Sequence, residues 1–485
     1  MISDKFGAID IFVLIAYLGL IFGVAVMFSK RQVSTDDYFK GGNRIPSWAA
    51  GMSIFATTLS SITFMAIPAK AYTSDWTFIT GQFIGIITLL LALAFYIPIF
   101  KRANVISIYE YLETRFNLQT RLFASLSFMM FHIGRIGIII YLTSLALSTA
   151  IDINPLILVG LIGVVCIVYT LFGGIEGVVW TDVIQGFMLS GAAIFIFGYI
   201  CFSVDGGMTE IFTTAYNENK IYPLEQMKWS FTEATIPVLS IGFFFSCLQQ
   251  YTTSQDVIQR YVLNDSQEET KKAIMTTVKL TLVVPAAFFA IGSGLYVFYK
   301  QNPQLISEGF NSASVLTYFV IEEMPVGIIG LIIAAIFAAS QSSISSSLNS
   351  ISSCYTSDIY ARFGKIKTQK QQMKMAKAVI LVSGLFSVMA SVYLVVTKES
   401  EIWDTFNSLL GLLGGTLTGI FFVAAFIPFV KGRSIFVGIV ASIVAVMVAK
   451  FGTDLNFFFY GVIGALTVVI VSVPFSMIEN LKGTK

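Results

Sequence analysis

The sequence predicts an all-α membrane protein with about thirteen transmembrane helices. Hydrophobic residues make up 56% of the 485 residues and charged residues 12%, with a mean hydropathy of +0.80, whereas soluble domains carry about 25% charged residues. The apolar stretches are about 18–28 residues long, and a helix needs about 20 residues to cross the hydrocarbon core. The alternating segments of about ten residues that are typical of a transmembrane β-barrel are absent from the sequence. These observations together predict a polytopic α-helical protein.

The predicted helices are connected by short polar segments. The first apolar run lacks a basic segment before it and a small-residue cleavage site after it, so we expect a retained helix rather than a signal peptide. The longest polar stretches, residues 204–232 and 355–373, are too short for a soluble domain, so residues 1–485 are predicted to form one membrane domain. The predicted spans are residues 8–29, 47–70, 77–100, 122–150, 155–173, 178–203, 233–255, 273–299, 325–350, 374–397, 404–430, 434–451 and 456–478.

The distribution of Lys and Arg predicts the orientation, because cytoplasmic loops carry an excess of positive charge. With the N-terminus outside, 21 of the 30 Lys and Arg residues lie on the cytoplasmic side and 7 on the outer side, while Arg135 and Lys279 lie within spans. The sequence therefore predicts an N-terminus outside and a C-terminus inside.

Two predicted spans, the second and the seventh, contain polar clusters. The second contains the segment FATTLSSITFMAIPAKAY, and the seventh contains FFFSCLQQYTTSQD. Ser and Thr offer the backbone alternative hydrogen bonds, and unwound backbone at membrane depth is tolerated only beside a cavity or inside protein. Interrupted helices at matching positions of two halves are typical of inverted-repeat transporters, and this spacing favours transport. The alternative for each span is that Ser and Thr merely allow close helix packing.

Arg135 lies about midway along the fourth predicted span, in FMMFHIGRIGIIIYL. A charge at this depth costs at least roughly 2.5–3.5 kcal/mol, so it needs a partner or a water-filled cavity. One interpretation is a clamp for an anionic substrate, because a guanidinium binds a carboxylate through two parallel hydrogen bonds. The alternative is an internal ion pair with an acidic residue on another helix, and the scarcity of intramembrane acids favours the clamp.

Two acidic residues are candidates for roles near this arginine. Asp182, in GGIEGVVWTDVIQGFML, is a candidate to pair with Arg135, relay protons or bind a cation. The alternative is that Asp182, near the start of its span, faces the cytoplasm. Asp256, in YTTSQDVIQRY, lies near the inner end of the seventh span, and we expect it to be solvated or to cap a helix.

The serine-rich stretch SQSSISSSLNSISS, residues 340–353, follows the apolar run GIIGLIIAAIFAA. No Gly or Pro interrupts the stretch, so it is predicted to be the cytoplasmic half of a helix rather than a linker. On a helix, Ser342, Ser345, Ser346 and Asn349 share one face. Their hydroxyl oxygens suit a small alkali cation, whose shell the carbonyls of an unwound helix would complete. A seam of small packing residues is an equally weighted alternative.

The remaining residues do not support enzyme chemistry. His132, the one histidine, is predicted to be a hydrogen-bonded core residue. Neither a Walker loop nor a metal-ligand cluster occurs in the sequence. The net charge of +2 without a long basic run argues against a nucleic-acid partner. The expected partner is the lipid bilayer, and no obligate protein partner is expected.

Four segments resemble the sodium/solute symporter family and, more closely, its bacterial sialic acid branch. They are WAAGMSIFATTLSSITFMAIPAKAYTSDWTF, FHIGRIGIIIYLTSLAL, FGGIEGVVWTDVIQG and IIAAIFAASQSSISSSLNSISS. The similarity extends over essentially the whole chain. It implies a LeuT-like fold with an extra N-terminal helix at residues 8–29, inverted five-helix repeats at 47–203 and 233–430, and two C-terminal helices at 434–478.

The resemblance also implies roles for individual residues. The residues implied to bind the substrate are Thr58, Ser60, Thr63, Phe78, Gln82 and, for its carboxylate, Arg135. The residues implied to bind a first sodium ion are Ala56 and Leu59, through their carbonyls, and Ser342, Ser345 and Ser346. A second sodium ion would bind Asp182 with the same three serines. This chain has Ser246 and Cys247 where an amide is expected at the pocket edge, so contacts to the glycerol or N-acyl end of the sugar are expected to differ.

The function implied by the resemblance is sodium-coupled uptake of a sialic acid, such as N-acetylneuraminic acid, across the bacterial inner membrane. Alternating access would co-transport two sodium ions with each substrate. Alternatives in the same class are symport of another monocarboxylate, a neutral sugar or proline, although a neutral substrate does not need Arg135. An alternative of another class is a substrate-gated channel or membrane sensor on the same fold.

Overall fold

The structure, a computed structural model, describes residues 6–29, 35–103, 105–151, 153–221, 223–264, 266–306, 310–363, 368–397 and 410–482. Within these ranges the regular secondary structure is helical, without a β-strand. The α-helices are α1 Ala8–Ser29, α2 Thr35–Lys40, α3 Ser47–Thr58, α4 Ser61–Thr73, α5 Thr80–Leu91, α6 Ile97–Ala103, α7 Tyr109–Arg115, α8 Leu118–Ile151, α9 Pro155–Ser203, α10 Gly207–Asn217, α11 Ile236–Thr252, α12 Gln255–Tyr261, α13 Gln267–Gln301, α14 Val315–Glu323, α15 Ile328–Cys354, α16 Gln369–Thr397, α17 Thr416–Phe426, α18 Gly432–Gly452 and α19 Phe458–Lys482.

Each predicted span overlaps a helix in the described ranges. In the described ranges, nine helices are long and apolar enough to cross a membrane, and ten if the bent pair α3–α4 counts as one span. The fifth and sixth predicted spans form one run of helix, α9, which turns at Gly174. There φ is +54° and ψ is −166°, a conformation that favours glycine. Of the predicted span 404–430, residues 410–426 are helical, and residues 404–409 lie outside the described ranges.

The predicted interruption of the second span is confirmed. Between the end of α3 and the start of α4, Leu59 and Ser60 adopt extended backbone angles, and the two helices are bent by 58°. The hydroxyl of Ser60 caps α4, because it accepts a hydrogen bond from the backbone N–H of Thr63 at 3.5 Å. The polar cluster therefore compensates the local loss of helical hydrogen bonds.

The predicted interruption of the seventh span is also confirmed. Helix α11 ends at Thr252, Ser254 is extended, and the short helix α12 follows. In the first turn of α12, the Asp256 carboxylate accepts hydrogen bonds from the Ser254 hydroxyl at 2.5 Å and the Val257 backbone N–H at 3.0 Å. Both spans in which the sequence indicates a break are therefore broken helices in the described part of the chain.

Helix α15, which carries the serine-rich stretch, lies at the centre of the protein. In its most apolar window 89% of the residues are buried, against 22–67% for the other eight candidate spans. It packs against α1, α3, α4, α8, α9, α12 and α16. Every residue from Ser340 to Cys354 is buried. The predicted helix is confirmed, and its hydroxyls face other helices rather than solvent.

The first helix is attached to the beginning of α15 by a buried carboxylate. Asp10 of α1 accepts hydrogen bonds from the backbone N–H groups of Gly327 and Gly330, at 2.8 and 2.6 Å. These N–H groups lie at the N-terminus of α15, where a negative charge is favourable. The approach is close, since a Cβ atom on Gly330 would lie 2.5 Å from the Asp10 Cα. This contact fixes the position of the central helix along the bundle.

Candidate functional site

The first broken helix and the serine-rich half of α15 face one another in the middle of the bundle. The hydroxyl of Ser342 donates to the carbonyl of Ala56 at 3.0 Å, and that of Ser343 donates to the carbonyl of Thr57 at 3.4 Å. The last carbonyls of a helix lack intrahelical partners and carry partial negative charge. The end of α3 therefore presents oxygen atoms to the hydroxyls of α15, an arrangement that suits a cation.

Of the other serines predicted for the first sodium site, Ser346 contacts α3, whereas the Ser345 hydroxyl bonds to its own helix. The hydroxyl of Ser345 is 3.2 Å from the carbonyl of Ser342, and that of Ser346 is 3.0 Å from the hydroxyl of Thr57. Leu59 lies in the break itself, three residues after Ala56. Carbonyl and hydroxyl oxygens are hard, neutral ligands. Among the described residues, no three His, Cys, Asp or Glu side chains converge on a common point.

Asp182 is fully buried, so the alternative that it faces the cytoplasm is wrong. Its Oδ2 atom accepts hydrogen bonds from the Ser53 hydroxyl at 2.5 Å and from Nη2 of Arg260 at 3.0 Å. Pairing of Asp182 with Arg135 is therefore wrong as well. The Oδ1 atom is buried and has no hydrogen-bond partner in the described part of the chain. This oxygen is free to bind a cation near Ser346, whose hydroxyl also contacts Nη2 of Arg260 at 2.5 Å.

Arg260 is a site residue that the sequence alone places in a cytoplasmic loop. In the structure its side chain is fully buried. Besides binding Asp182, it donates from Nε to the Ser53 hydroxyl at 2.6 Å and from Nη1 to the backbone carbonyl of Asp256. Arg260 follows Asp256 by four residues, within the half-helix after the second break. If this half-helix turns back into the protein, the four-residue spacing between Asp256 and Arg260 is the feature of the sequence that indicates burial of Arg260.

Arg135 makes the internal ion pair that was the alternative to the clamp. Its Nη1 lies 3.2 Å from Oδ2 of Asp256, and its Nη2 donates to the carbonyl of Thr57 at 3.4 Å. Its side chain is 10% exposed. A guanidinium has five N–H donors, and these two contacts use two of them. Because three donors remain, the ion pair with Asp256 is compatible with binding a substrate carboxylate.

Asp256 caps α12, as expected, but it is not solvated. It is fully buried and makes an ion pair with Arg135. The expectation of solvation is wrong because the second break turns α12 into the protein, against α3 and α15.

His132 has the predicted hydrogen-bonded core position. Its Nδ1 is 2.9 Å from the Ser347 hydroxyl, and its Nε2 is 3.3 Å from the Ser254 hydroxyl. Its ring packs on Phe128, with 4.1 Å between the ring centroids. His132 thus connects the serine-rich helix to the second break.

The predicted substrate-binding residues Thr58, Ser60 and Thr63 flank the break between α3 and α4. Thr58 ends α3, Ser60 lies in the break, and the hydroxyls of Ser60 and Thr63 are 3.3 Å apart. Thr58 and Thr63 are half-buried. Hydroxyls and free backbone N–H groups at a helix N-terminus are suited to binding an anion.

The other predicted pocket residues are Phe78, in the turn before α5, and Gln82, in the first turn of α5. Phe78 and Gln82 are both half-buried. The Phe78 ring lies 6.2 Å from that of Phe243 in α11 and 6.5 Å from that of Phe458 in α19. The side chain of Phe78 therefore contacts α11, the first segment of the second broken helix.

Gln249 supplies an amide close to the position where one is expected. Ser246 and Gln249, one helical turn apart in α11, both line a small cavity that Gly411, Gly415 and Gly461 also border. Gln249 is 5% exposed, and a Cβ atom on Gly414 would lie 3.0 Å from its Cγ. The sequence-predicted site does not include Gln249, because its orientation depends on packing against the segment before α17.

A family model and curated relatives match nearly the whole chain. The model of the sodium:solute symporter family matches residues 38–451. The sodium/sialic acid symporter NanT of Aliivibrio fischeri is 59% identical over 97% of this chain and 93% of its own. The sodium/sialic acid symporter SiaT of Proteus mirabilis is 59% identical over 96% of this chain and 94% of its own. The sodium/glucose cotransporter of Vibrio parahaemolyticus is 27% identical over 91% of this chain and 85% of its own.

Solved structures share the fold. A substrate-bound, outward-open structure of a Na⁺-coupled sialic acid symporter superposes with a TM-score of 0.93 and 56% identity, over 97% of this chain and 98% of that chain. A nucleobase-cation-symport-1 family transporter superposes with a TM-score of 0.57 and 14% identity, over 92% and 94% of the two chains. This second similarity concerns the fold alone, and the predicted LeuT-like, all-helical class is confirmed.

Proposed function

Because the chain belongs to the sodium:solute symporter family, we propose that it uses a sodium gradient to take up a sialic acid. Its 59% identity with two sodium/sialic acid symporters supports this substrate over another monocarboxylate, a neutral sugar or proline. The protein is a multi-pass transporter of the bacterial inner membrane rather than an enzyme.

The position of Arg135 beside the first break is the main observation that supports the proposed mode of substrate binding. The carboxylate of the sialic acid would accept hydrogen bonds from the guanidinium N–H groups that Asp256 and Thr57 leave unused. The N-terminus of α4, with Ser60 and Thr63, would add hydroxyl and backbone donors and a favourable helix dipole. The proposed mode thus uses the broken helix and the intramembrane arginine together to bind one anion.

The remaining sugar atoms would lie toward Phe78 and Gln82. Phe78 offers an apolar surface and Gln82 an amide, and both are half-buried. Thr58, at the end of α3, would complete the pocket. The small cavity bordered by Ser246 and Gln249 supports contacts with the glycerol or N-acyl end of the sugar that differ from those expected for an amide at position 246 or 247.

The first sodium ion would bind between α3 and α15. Its ligands would be the carbonyls of Ala56 and Leu59 and oxygens of Ser342, Ser345 and Ser346. The 3.0 Å contact between the Ser342 hydroxyl and the Ala56 carbonyl supports this site, since the hydroxyl can turn its hydrogen away and present a lone pair, beside the carbonyl oxygen, to a cation. Sodium would thereby stabilise the unwound end of α3 in the geometry that the substrate requires.

A second sodium ion would bind Asp182 and the same serines. The unpartnered Oδ1 of Asp182 supports this site, because the carboxylate can bind sodium through Oδ1 while Oδ2 stays with Arg260. Arg260 would also limit the affinity, since its positive charge lies on the same carboxylate and on Ser346. An ion held less tightly is easier to release on the cytoplasmic side.

Transport would proceed by alternating access. We propose an N-terminus outside, a C-terminus inside and about thirteen spans, supported by the excess of Lys and Arg on the predicted cytoplasmic side. Residues 47–203 and 233–430 would form two inverted repeats, each beginning with one broken helix, and these repeats would rock about the bound ligands. Residues 8–29 and 434–478 would form the additional helices.

The proposed stoichiometry predicts electrogenic uptake. Two sodium ions and one sialate anion carry a net charge of one, and moving it is worth about 2.3 kcal/mol per 100 mV. An inside-negative potential is therefore expected to accelerate uptake.

The test is uptake of labelled N-acetylneuraminic acid into proteoliposomes under an imposed sodium gradient, a proton gradient or neither. Accumulation is expected only with the sodium gradient and is expected to increase with an inside-negative potential. Accumulation driven by protons would contradict sodium coupling. A saturating sodium current without accumulation of the sugar would indicate a channel instead.

A further inference from the structure

Lys70 is an exposed cation near the outer end of the first broken helix. It is the one charged residue of α4, whose sequence is SITFMAIPAKAYT. Its Nζ atom lies over the ring of Phe78, 5.5 Å from the centroid. Phe78 is one of the residues proposed to line the substrate pocket. Lys70 therefore covers a pocket residue from the side that the proposed orientation places outside.

Helical geometry aligns Lys70 with the proposed substrate site. Lys70 follows Thr63 by seven residues, so both lie on the same face of α4. At 1.5 Å per residue, Lys70 is about 10 Å farther outward along the helix. A substrate that approaches Thr63 along this face passes the ammonium group first.

Three of the other lysines on the predicted outer side are engaged with protein groups, whereas Lys450, at the end of α18, is exposed like Lys70. Lys228 and Lys300 make ion pairs with Glu233 and Glu218, respectively. Lys220 is buried and donates to two backbone carbonyls. In the described part of the chain, Lys70 makes no ion pair, and its ammonium remains available to an anion.

Asp75, the acidic residue nearest to Lys70 in the sequence, caps a turn. Oδ1 of Asp75 accepts a hydrogen bond from the backbone N–H of Thr77 at 2.8 Å and thereby caps the turn that leads to Phe78. Its charge also acts on Lys220. Asp75 thus holds the segment that places Phe78 beneath Lys70.

We propose that Lys70 and Phe78 form an outer, transient binding site that captures the carboxylate of the sialic acid before Arg135 binds it. The proposal rests on the proposed function and orientation. A lysine ammonium is a point charge on a flexible stem, so it attracts a carboxylate without fixing its orientation, whereas an arginine binds it in a defined geometry. The two cations are therefore suited to successive steps, capture at Lys70 and oriented binding at Arg135.

The capture step acts on the rate of association. A single exposed charge at the mouth of a cleft raises the local concentration of an oppositely charged substrate, and added salt screens the effect. Once the substrate is bound at Arg135, Lys70 is about 10 Å away from Thr63 along α4 and contributes little. Loss of the charge is therefore expected to raise KM and to leave kcat unchanged.

The experiment compares wild type with Lys70→Gln, Lys70→Arg and, as a matched control, Lys450→Gln. Lys450 is also an exposed lysine over a phenylalanine ring, 5.4 Å from the centroid of Phe451, at the end of α18. Initial rates of sodium-driven N-acetylneuraminic acid uptake into proteoliposomes are measured against sugar concentration. The sodium gradient is held constant and ionic strength is varied with choline chloride.

Lys70→Gln is expected to raise KM by up to about tenfold at low ionic strength, to leave kcat unchanged and to remove most of the salt dependence of KM. Lys70→Arg and Lys450→Gln are expected to match wild type. An unchanged KM and salt dependence in Lys70→Gln would overturn the outer site while leaving the proposed function intact. A lower kcat that Lys70→Arg does not restore would indicate a structural role and would also overturn it. Absence of sodium-driven uptake by wild type would instead contradict the proposed function.

Discussion

The substitution Arg135→Lys isolates the proposed carboxylate clamp from the internal ion pair. Asp256 is fully buried, so removing the positive charge would leave an unpaired carboxylate and cost about 3–5 kcal/mol of stability. Lysine keeps a charge opposite Asp256 but replaces five donors in a planar fork with three on a compact ammonium. The change therefore removes two-point binding of a carboxylate with little effect on folding.

The expected loss of affinity for sialic acid follows from the number of Arg135 N–H donors that are available to the substrate. Nη1 of Arg135 is engaged at 3.2 Å and Nη2 at 3.4 Å, and one further N–H on each remains for the substrate. Lysine at this position can keep the contact with Asp256 and offer one substrate contact, so one charged hydrogen bond is lost. A hydrogen bond to a charged group is worth about 1.5–3 kcal/mol. The dissociation constant for sialic acid is therefore expected to rise by about tenfold to a hundredfold.

The assay is calorimetric binding of N-acetylneuraminic acid to the purified protein in saturating sodium, together with the KM for uptake. The thermal unfolding midpoint is recorded as a control for folding. Arg433→Lys is the matched control, because Arg433 is 80% exposed on the side chain and lies far from the proposed site in the sequence. Wild-type affinity in Arg135→Lys would refute the clamp and leave Arg135 as a purely structural partner of Asp256.

Two further predictions concern the sodium sites. Ser345→Ala and Ser346→Ala are expected to raise the sodium concentration for half-maximal uptake by about tenfold or more, since each removes an oxygen ligand. Ser343→Ala is expected to change this concentration little. Equal effects of all three substitutions would support a packing seam. The double substitution Asp182→Asn with Arg260→Gln removes both members of the buried ion pair, so neither charge is left unpaired. It is expected to lower the Hill coefficient for sodium-dependent uptake toward one. An unchanged Hill coefficient would exclude a second sodium ion at Asp182.

The pairing of charges inside the protein changes the interpretation of its scarce intramembrane acids. The scarcity of intramembrane acids in the sequence favours a clamp over an ion pair for Arg135, with Asp182 as the candidate partner. In the structure Arg135 pairs with Asp256, and Asp182 pairs with Arg260. The second break brings both Asp256 and Arg260 into the bundle. Each proposed ligand-binding charge is therefore already compensated before any ligand binds.

Local sequence patterns determined the helices, the two breaks and the buried serine helix. Hydropathy over about 20 residues is sufficient to predict a membrane helix. The clusters around Ser60 and Ser254 indicate where a helix is interrupted, because polar side chains there bind free backbone N–H groups. The Ser60 hydroxyl accepts from Thr63, and the Asp256 carboxylate accepts from Val257. The absence of Gly and Pro from residues 340–353 predicts that α15 continues through them.

Only the tertiary structure decided which of these residues meet. Asp10 caps α15 although more than 300 residues separate them in the sequence, and Arg260 reaches Asp182 because α12 turns back toward α9. Gln249 faces a cavity for the same reason, since packing against a distant segment orients its side chain. Composition and periodicity report the environment along one helix, whereas the partner of a buried charge depends on which helices are neighbours. The sequence by itself therefore determined the elements and the candidate residues, and the packing of the helices assigned the partners.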